Sequence, residues 1–270
     1  MPLLDRDGAR LAYDVQGDGP TIVLTAGYGV PAALWGPLVP ALASSFRVVT
    51  HDVRGFGKTE VTREKTTLDE LSDDLHAIVE AVGGPVLSAG HAFGGAVTAN
   101  HAVRHPADVR GVVLMSAGGM FASDPAAAAN MLPLATKRDL DAEGYAKLFC
   151  ETYAGAGFGE TPEQQEFLKG MFEATQSREQ ARAAVSALVS MNADAYWGQW
   201  TQPTLLLYGT HDRIAVPLNA FDLARRPGYE LHWLRGAGHF SPMERPQQIA
   251  ARIGEWAAGF EDGGHIHRSR

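Results

Sequence analysis

The chain lacks several features that define whole classes of protein. Its 270 residues include a single cysteine, Cys150, which excludes an internal disulfide and a cysteine-based metal cluster. No apolar run approaches the roughly 18 residues that are needed to cross a bilayer. The first ten residues, MPLLDRDGAR, lack the basic and then apolar pattern of a secretory signal. We therefore expect a cytoplasmic protein that does not associate with membranes.

The sequence also has fewer positively charged than negatively charged residues. The sequence contains 23 Lys and Arg against 31 Asp and Glu, which gives a formal net charge of −8. This balance argues against nucleic acid or an anionic membrane as the main partner. The sequence has no G-x-x-x-x-G-K-[ST] phosphate loop, no complete dinucleotide fingerprint and no histidine–carboxylate group at metal-ligand spacing. We expect a small-molecule substrate, no cofactor and no metal.

Short apolar runs alternate with helical patterns along most of the chain. The runs occupy residues 21–27, 47–57, 85–90, 111–117, 203–209 and 229–239. Between the second and third runs, residues 66–83 place apolar side chains at helical spacing after a Thr/Asp-rich start. Continuous apolar strands separated by helices predict an α/β fold, with a mostly parallel sheet covered on both faces. An initial hairpin is expected around residues 9–17.

One long interval carries no strand pattern. Residues 118–202 are rich in Ala, Met, Phe and Glu, and they favour several helices. We predict that they form a helical cap inserted into one core domain, which comprises residues 1–117 and 203–262. The alternative is that these helices simply extend the core. Residues 263–270 are predicted to be a flexible tail, and the two histidines within it, His265 and His267, are interpreted as tail residues.

The segment GHAFGG at 90–95 lies between an apolar run and a helix start. A strand, a tight glycine turn and a helix are the setting of a nucleophile elbow, whose pattern is G-x-S-x-G. Here Ala92 occupies the central position, and its methyl group cannot act as a nucleophile.

Two further polar residues follow predicted strands. Sites in open parallel sheets form where the strands end. Asp212 lies just after the run at 203–209, and His239 is the last residue of the segment 229–239. The order 92, 212, 239 is the order of nucleophile, acid and histidine in α/β-hydrolases. Taken singly, Asp212 could be a helix cap and His239 an ordinary loop residue, but together they favour a catalytic site.

Five segments give the chain a resemblance that covers nearly all of its length. They are LTAGYG (24–29), DVRGFGKT (52–59), GHAFGG (90–95), YGTHDRIAVP (208–217) and GAGHFSPMERP (236–246). With them the sequence resembles the α/β-hydrolase superfamily. It is most similar to the capped group of enol-lactonases, cofactor-free haloperoxidase-type esterases and carbon–carbon bond hydrolases. The resemblance implies an α/β-hydrolase fold with an inserted cap, and it leaves the substrate open because one fold hosts many functions.

The resemblance also implies roles for individual residues. Ala92 stands at the serine position, His239 would be the general base, and Asp212 would orient and stabilise its imidazolium. The backbone N–H groups of Tyr28 and Phe93 would form the oxyanion hole. Two further interpretations concern neighbouring loops. Ala26 replaces a histidine that many relatives carry before the glycine, and Asp52 and Arg54 are expected to hold their loop through hydrogen bonds and a charge pair.

Three hypotheses account for Ala92. The chain could be a serine enzyme whose nucleophile was replaced by alanine to hold substrate without turnover. It could be a natural catalyst without a covalent nucleophile, in which His239 and Asp212 act as a general base. It could also be a binding protein that has kept the pocket and lost catalysis. A serine codon at position 92 of the source gene would distinguish the first hypothesis from the other two.

Overall fold

The structure is a computed structural model that describes residues 2–27, 30, 32–61, 66–117, 140–176, 196–215, 221 and 223–259. The strands of these residues are β1 (Leu3–Arg6), β2 (Ala9–Gln16), β3 (Thr21–Thr25), β4 (Arg47–His51), β5 (Glu60–Val61), β6 (Val86–His91), β7 (Val109–Met115), β8 (Thr204–Gly209) and β9 (Tyr229–Leu234). They form one sheet in the order β1-β2-β4-β3-β6-β7-β8-β9, and β5 pairs with β2.

The sheet is parallel from β4 to β9 and antiparallel only where β1, β2 and β5 join it. Each predicted apolar run overlaps one of these strands, and the prediction of a mostly parallel sheet is confirmed. Residues 9–16 form a single strand of the initial hairpin, and the partner of that strand is Leu3–Arg6.

Helices cover both faces of the sheet, as predicted. They are α1 (Leu38–Leu42), α2 (Leu68–Val82), α3 (Phe93–Arg104), α4 (Ala142–Tyr153), α5 (Pro162–Gln176), α6 (Ser241–Glu244) and α7 (Pro246–Ala258). Alternate strand residues face opposite ways. In β3, Val23 joins the apolar cluster under α2 and α3, whereas Ile22 and Leu24 join the cluster under α1 and α7.

Helix α2 shows how the local sequence fixes one of these layers. Thr67 accepts a hydrogen bond from the Glu70 amide, and the Glu70 carboxylate accepts one from the Thr67 amide. This capping box begins the helix, and Gly83 follows its end. The apolar side chains of one helix face, among them Leu71, Leu75 and Ile78, are buried against the sheet.

Helices α4 and α5 lie within the predicted cap segment, 118–202. Their buried aromatic residues, Tyr145, Phe149 and Phe167, pack into the same apolar cluster as residues of α6 and α7. None of the described residues of this segment belongs to a strand. Residues 118–139 and 177–195 lie outside the described residues, and the division into core and cap stays a prediction.

Strand order places the edge at which a ligand site would form. The chain leaves β3 towards β4 on one side and then crosses to β6 on the other, so β3 and β6 flank the point where the direction of winding reverses. Clefts in such sheets open at the carboxyl ends of the strands at this point. No helix among the described residues combines the length and the apolar character that a membrane crossing needs.

Candidate active site

The turn after β6 has the backbone of a nucleophile elbow. Ala92 lies between the last residue of β6 and the first residue of α3, with φ 48° and ψ −117°. Left-handed conformations of this kind are unfavourable for a residue with a β-carbon, typically by about 1–3 kcal/mol. The Ala92 amide donates to the Met115 carbonyl, and the Gly95 amide donates to the Ala92 carbonyl, at 3.0 Å in both cases.

Glycines make this turn possible by allowing close approach. A β-carbon at Gly94 would overlap the carbonyl oxygens of Thr25 and Ala26 at the end of β3, and one at Gly90 would overlap the Gly94 backbone. The start of α3 can therefore lie directly against the neighbouring strand. Ala92 is held at the switch point of the sheet with 6% of its surface exposed.

The loop after β3 runs alongside the elbow. A β-carbon built on Gly27 would lie 3.3 Å from the Ala92 β-carbon and 3.1 Å from the His91 Nδ1. Phe93, one of the two predicted oxyanion donors, is the first residue of α3, where the helix presents positive potential. Tyr28, the other predicted donor, lies outside the described residues. Ala26, the residue before Gly27, is buried.

The predicted acid and base meet at the ends of β8 and β9. The Nδ1 of His239 lies 3.1 Å from each carboxylate oxygen of Asp212. Asp212 also accepts hydrogen bonds from the amides of Ile214 (2.9 Å) and Ala215 (3.0 Å). Burial alone would raise the pKa of Asp212, but His239 and these two amides hold it below its usual value.

These contacts fix the histidine tautomer. An ionised carboxylate only accepts hydrogen bonds, so Nδ1 of His239 carries the proton that it shares with Asp212. The other ring nitrogen, Nε2, is then the atom that can accept a proton from a reacting group. Both partners are buried, with 8% of the His239 side chain and 1% of the Asp212 side chain exposed.

His91 connects the elbow to the loop that carries His239. It immediately precedes Ala92, it is fully buried, and its Nε2 lies 2.8 Å from the His239 carbonyl oxygen. Its ring also packs edge-on against Trp35, with ring centroids 6.4 Å apart. Burial lowers the pKa of His91 to about 3, so the ring is neutral and Nε2 donates its hydrogen to the carbonyl.

Helix α4 is hydrogen-bonded to the same loop. The amide of His239 donates to the carbonyl of Tyr153 at 2.7 Å. The Glu244 Oε2 accepts from the amides of Gly155 and Gly238, both at 2.9 Å. One carboxylate therefore joins the segment after α4 to the loop that carries His239, and burial raises the pKa of Glu244.

A group of aromatic rings adjoins His239. Phe240 contacts it edge-on, with ring centroids 5.3 Å apart. Phe149 and Phe167 in turn pack against Phe240, with centroids 4.7 and 5.3 Å away. The surroundings of the histidine towards α4 and α5 are therefore apolar, and such surroundings suit an apolar ligand.

The sequence predicted the positions of the main site residues, but it did not predict the residues that hold them in place. Ala92, Asp212 and His239 all lie at carboxyl ends of strands, and Asp212 and His239 are in contact. The hydrogen bonds and the charge pair expected of Asp52 and Arg54 are present, and the charge pair joins Arg54 to Asp74. Asp52 accepts from the amides of Ala32 and Lys58, because its loop folds over it, whereas Arg54 makes two hydrogen bonds to Asp74 on α2.

The missed residues are Glu244, Tyr153 and Phe240. Glu244 stands five positions after His239 in GAGHFSPMERP. The available indication of its role was that this carboxylate lies one short helix after the predicted base, His239. The Tyr153 carbonyl left no signal in the sequence.

Comparisons with known proteins give three informative matches. Residues 22–252 match a sequence family described as the alpha/beta hydrolase family. A 3-oxoadipate enol-lactonase of Acinetobacter baylyi is 38% identical over 82 residues, which cover 30% of each chain. The YqjL protein of Bacillus subtilis is 34% identical over 99 residues, or 36% of this chain and 39% of that one. The matched part of this chain thus spans well under half the length of these curated relatives.

Solved structures match over almost the whole chain. The enol-lactonase from Burkholderia xenovorans LB400 superposes with a TM-score of 0.79 at 22% identity, and the match covers 95% of this chain and 100% of that one. At 22% identity, this similarity shows a shared fold alone.

Proposed function

This chain belongs to the alpha/beta hydrolase family, and from that premise we propose that it is a serine-hydrolase-type enzyme with alanine at the nucleophile position. The reaction is hydrolysis of a carboxylic ester or lactone of a small, largely apolar molecule. The form with serine at position 92 carries it out. The chain as given is inactive or strongly impaired and retains substrate binding.

The observation that carries this proposal is the backbone at Ala92. A conformation that disfavours a β-carbon persists there, supported by glycines at positions 90 and 94. Strain of this kind survives where the surroundings enforce it, and it is concentrated at functional sites. Alanine gains nothing from that conformation, whereas a serine there would have its hydroxyl presented at the switch point of the sheet. The turn is therefore best explained as the setting of a serine.

The proposed mechanism follows from the contacts of His239. In the serine form, the hydroxyl at position 92 attacks the substrate carbonyl carbon while Nε2 of His239 takes the hydroxyl proton. Asp212, held ionised by its amide donors, stabilises the imidazolium. The tetrahedral oxyanion would be bound by the backbone amides of Phe93 and Tyr28.

The second half of the reaction returns the protein to its starting state. The ester C–O bond breaks and the leaving alkoxide takes the proton from His239, which leaves an acyl group on the serine. Water then attacks the acyl carbon while His239 accepts its proton. The same histidine finally protonates the serine oxygen as the carboxylic acid departs.

Two observations support the substrate class. The rings around Phe240 make the surroundings of His239 apolar on the side of α4 and α5. A relative named as an enol-lactonase shares 38% identity over 82 residues. Neither observation selects the acyl group or the ring size.

A substrate panel on the Ala92→Ser protein tests the proposal. We expect p-nitrophenyl esters of short acids, or simple lactones, to be hydrolysed by the serine form. The chain as given should keep at most the roughly 10³–10⁴-fold advantage over water that remains when a triad member is lost. Absence of ester and lactone turnover by a folded Ala92→Ser protein would contradict it.

A second candidate function rests on the intact Asp212–His239 contact. With the pair assembled and no nucleophile beside it, His239 could act as a general base on a substrate proton or on water, as in a cofactor-free dioxygenase, lyase or C–C bond hydrolase. Rapid conversion by the chain as given, abolished by His239→Ala, would favour this function over the first. If neither form turns over any substrate but both bind one, the chain is a small-molecule binding protein.

A further inference from the structure

Three histidines and an aspartate converge where α2, the end of α3 and the turn after it meet. His76 comes from α2, His101 from α3, and His105 and Asp108 from the residues between α3 and β7. The rings of His76 and His105 are stacked, with centroids 4.0 Å apart. Nδ1 of His76 lies 2.6 Å from the Asp108 Oδ2, and Nε2 of His101 lies 3.0 Å from the same oxygen.

Three of these residues offer metal-ligand atoms at short range. One ring nitrogen of His76, one of His105 and one carboxylate oxygen of Asp108 all lie within 4.8 Å of one another. Ligands of a tetrahedral zinc ion at about 2.1 Å from the metal are about 3.4 Å apart, so small side-chain rotations would bring the three into place. Imidazole and carboxylate together suit divalent transition metals such as Zn²⁺.

Each of the three also has an outer hydrogen-bond or ion-pair partner. Nε2 of His105 lies 3.0 Å from the Asp73 Oδ1, and Nε2 of His76 lies 3.7 Å from the Glu80 Oε2. Asp108 has His101. Histidine ligands of metals are usually oriented by a carboxylate on their other nitrogen in this way.

The local charge favours a cation. The ion-pair partners of Asp108 within the described part of the chain are two imidazoles, His76 and His101. The guanidinium of Arg104, the residue before His105, pairs with Asp69 and with Asp73, whose Oδ1 also contacts His105. The side chains of His76, His105 and Asp108 are 31%, 22% and 18% exposed, so an ion and a water ligand can reach them.

We propose that His76, His105 and Asp108 form a binding site for one divalent transition-metal ion of the zinc type, with water as the fourth ligand. The spacing along the sequence gave no indication of it, because His76 is brought to His105 by the packing of α2 on α3. Ala92 and this cluster lie at opposite ends of α3, whose 12 residues span about 18 Å. The ion would therefore link α2 to the end of α3 and take no part in catalysis.

Isothermal titration calorimetry of the full chain with ZnCl₂ tests the site. All proteins carry His265→Ala and His267→Ala, which removes the two tail histidines as competing ligands. We expect about one equivalent to bind with a Kd below about 10 µM. His105→Asn and, separately, His76→Gln should each weaken binding at least about tenfold, whereas His232→Gln, at a partly exposed histidine on β9, should not.

A second measurement does not depend on the variants folding. The protein with the two tail substitutions, loaded with CoCl₂, should show the intense visible absorption of tetrahedral Co²⁺, and Zn²⁺ should displace it. At a Zn²⁺ concentration a hundredfold above Kd, the thermal midpoint should rise by roughly 5–10 °C. No saturable binding below about 1 mM, no tetrahedral Co²⁺ spectrum, or equal affinity in His105→Asn and His232→Gln would each overturn the proposal.

Discussion

Replacing Ala92 by glycine should be far less harmful than the same change elsewhere in the neighbouring helix. Ala92 has φ 48° and ψ −117°, so removing its β-carbon relieves strain of about 1–3 kcal/mol. Against this, a buried methyl group contributes about 0.8 kcal/mol, and glycine adds about 0.4–1 kcal/mol of unfolded-state entropy. The net change in the free energy of unfolding should lie within about 2 kcal/mol of zero. The centre of this range corresponds to a slight stabilisation.

Ala99→Gly is the matched control. Ala99 is also buried but lies in the middle of α3. There glycine loses about 1 kcal/mol of helix propensity and about 0.8 kcal/mol of methyl burial with no strain to relieve. Urea denaturation of both variants should therefore separate them by about 2 kcal/mol, with Ala92→Gly the more stable. Equal destabilisation would refute the claim that position 92 is held in an elbow conformation.

Three further predictions concern the supports of the site. Gly94→Ala should prevent the elbow from packing on β3, because the new β-carbon overlaps two carbonyl oxygens, and should lower the free energy of unfolding by more than about 3 kcal/mol. Glu244→Ala should lower it by about 2 kcal/mol or more, since the buried Gly155 and Gly238 amides lose their acceptor. The pKa of His91 is lowered to about 3 by burial, so the unfolded chain binds the extra proton. The stabilising effect of neutral His91 is complete above pH 6.5 and is lost as the pH falls towards 3. His91→Gln should therefore reduce the slope of stability against pH by about 1.4 kcal/mol per pH unit between pH 6 and 4.5.

The Gly94→Ala and Glu244→Ala changes each have a control at a position with few packing constraints. A β-carbon at Gly254 in α7 meets nothing within 4 Å, so Gly254→Ala should be neutral or stabilising in the same urea experiment. Glu230→Ala, on the partly exposed strand β9, should change stability by less than about 0.5 kcal/mol. A control that loses as much stability as its test variant would contradict the corresponding explanation.

The sheet and the positions of the candidate site could be predicted from the sequence because their signals are local. Apolar runs of the sequence overlap β3, β4, β6, β7, β8 and β9, and such runs indicate the strands of a covered parallel sheet. The elbow is contained within six residues, and Asp212 and His239 each follow a strand directly. The carboxyl ends of parallel strands lie at one edge of the sheet. Knowing which strand each residue follows was therefore enough to predict that these residues lie near one another.

The supports could not be predicted because they join residues that are distant in sequence. His91 contacts the carbonyl of His239 across 148 positions, and Glu244 contacts the Gly155 amide across 89. These bonds involve backbone atoms, which carry no residue-specific signal. The charged partner of Arg54 could not be identified for a related reason. Asp74 is 20 positions away in sequence and is brought to Arg54 by the packing of α2.

The most direct test of the central claim is covalent labelling of the Ala92→Ser protein with a fluorophosphonate, measured by intact-protein mass. We expect one adduct per chain, mapped to position 92, because an elbow serine beside the His239–Asp212 pair would be nucleophilic. The chain as given and the Ala92→Ser/His239→Ala protein should remain unlabelled under the same conditions. A folded Ala92→Ser protein that stays unlabelled, or labelling that persists undiminished without His239, would contradict the account.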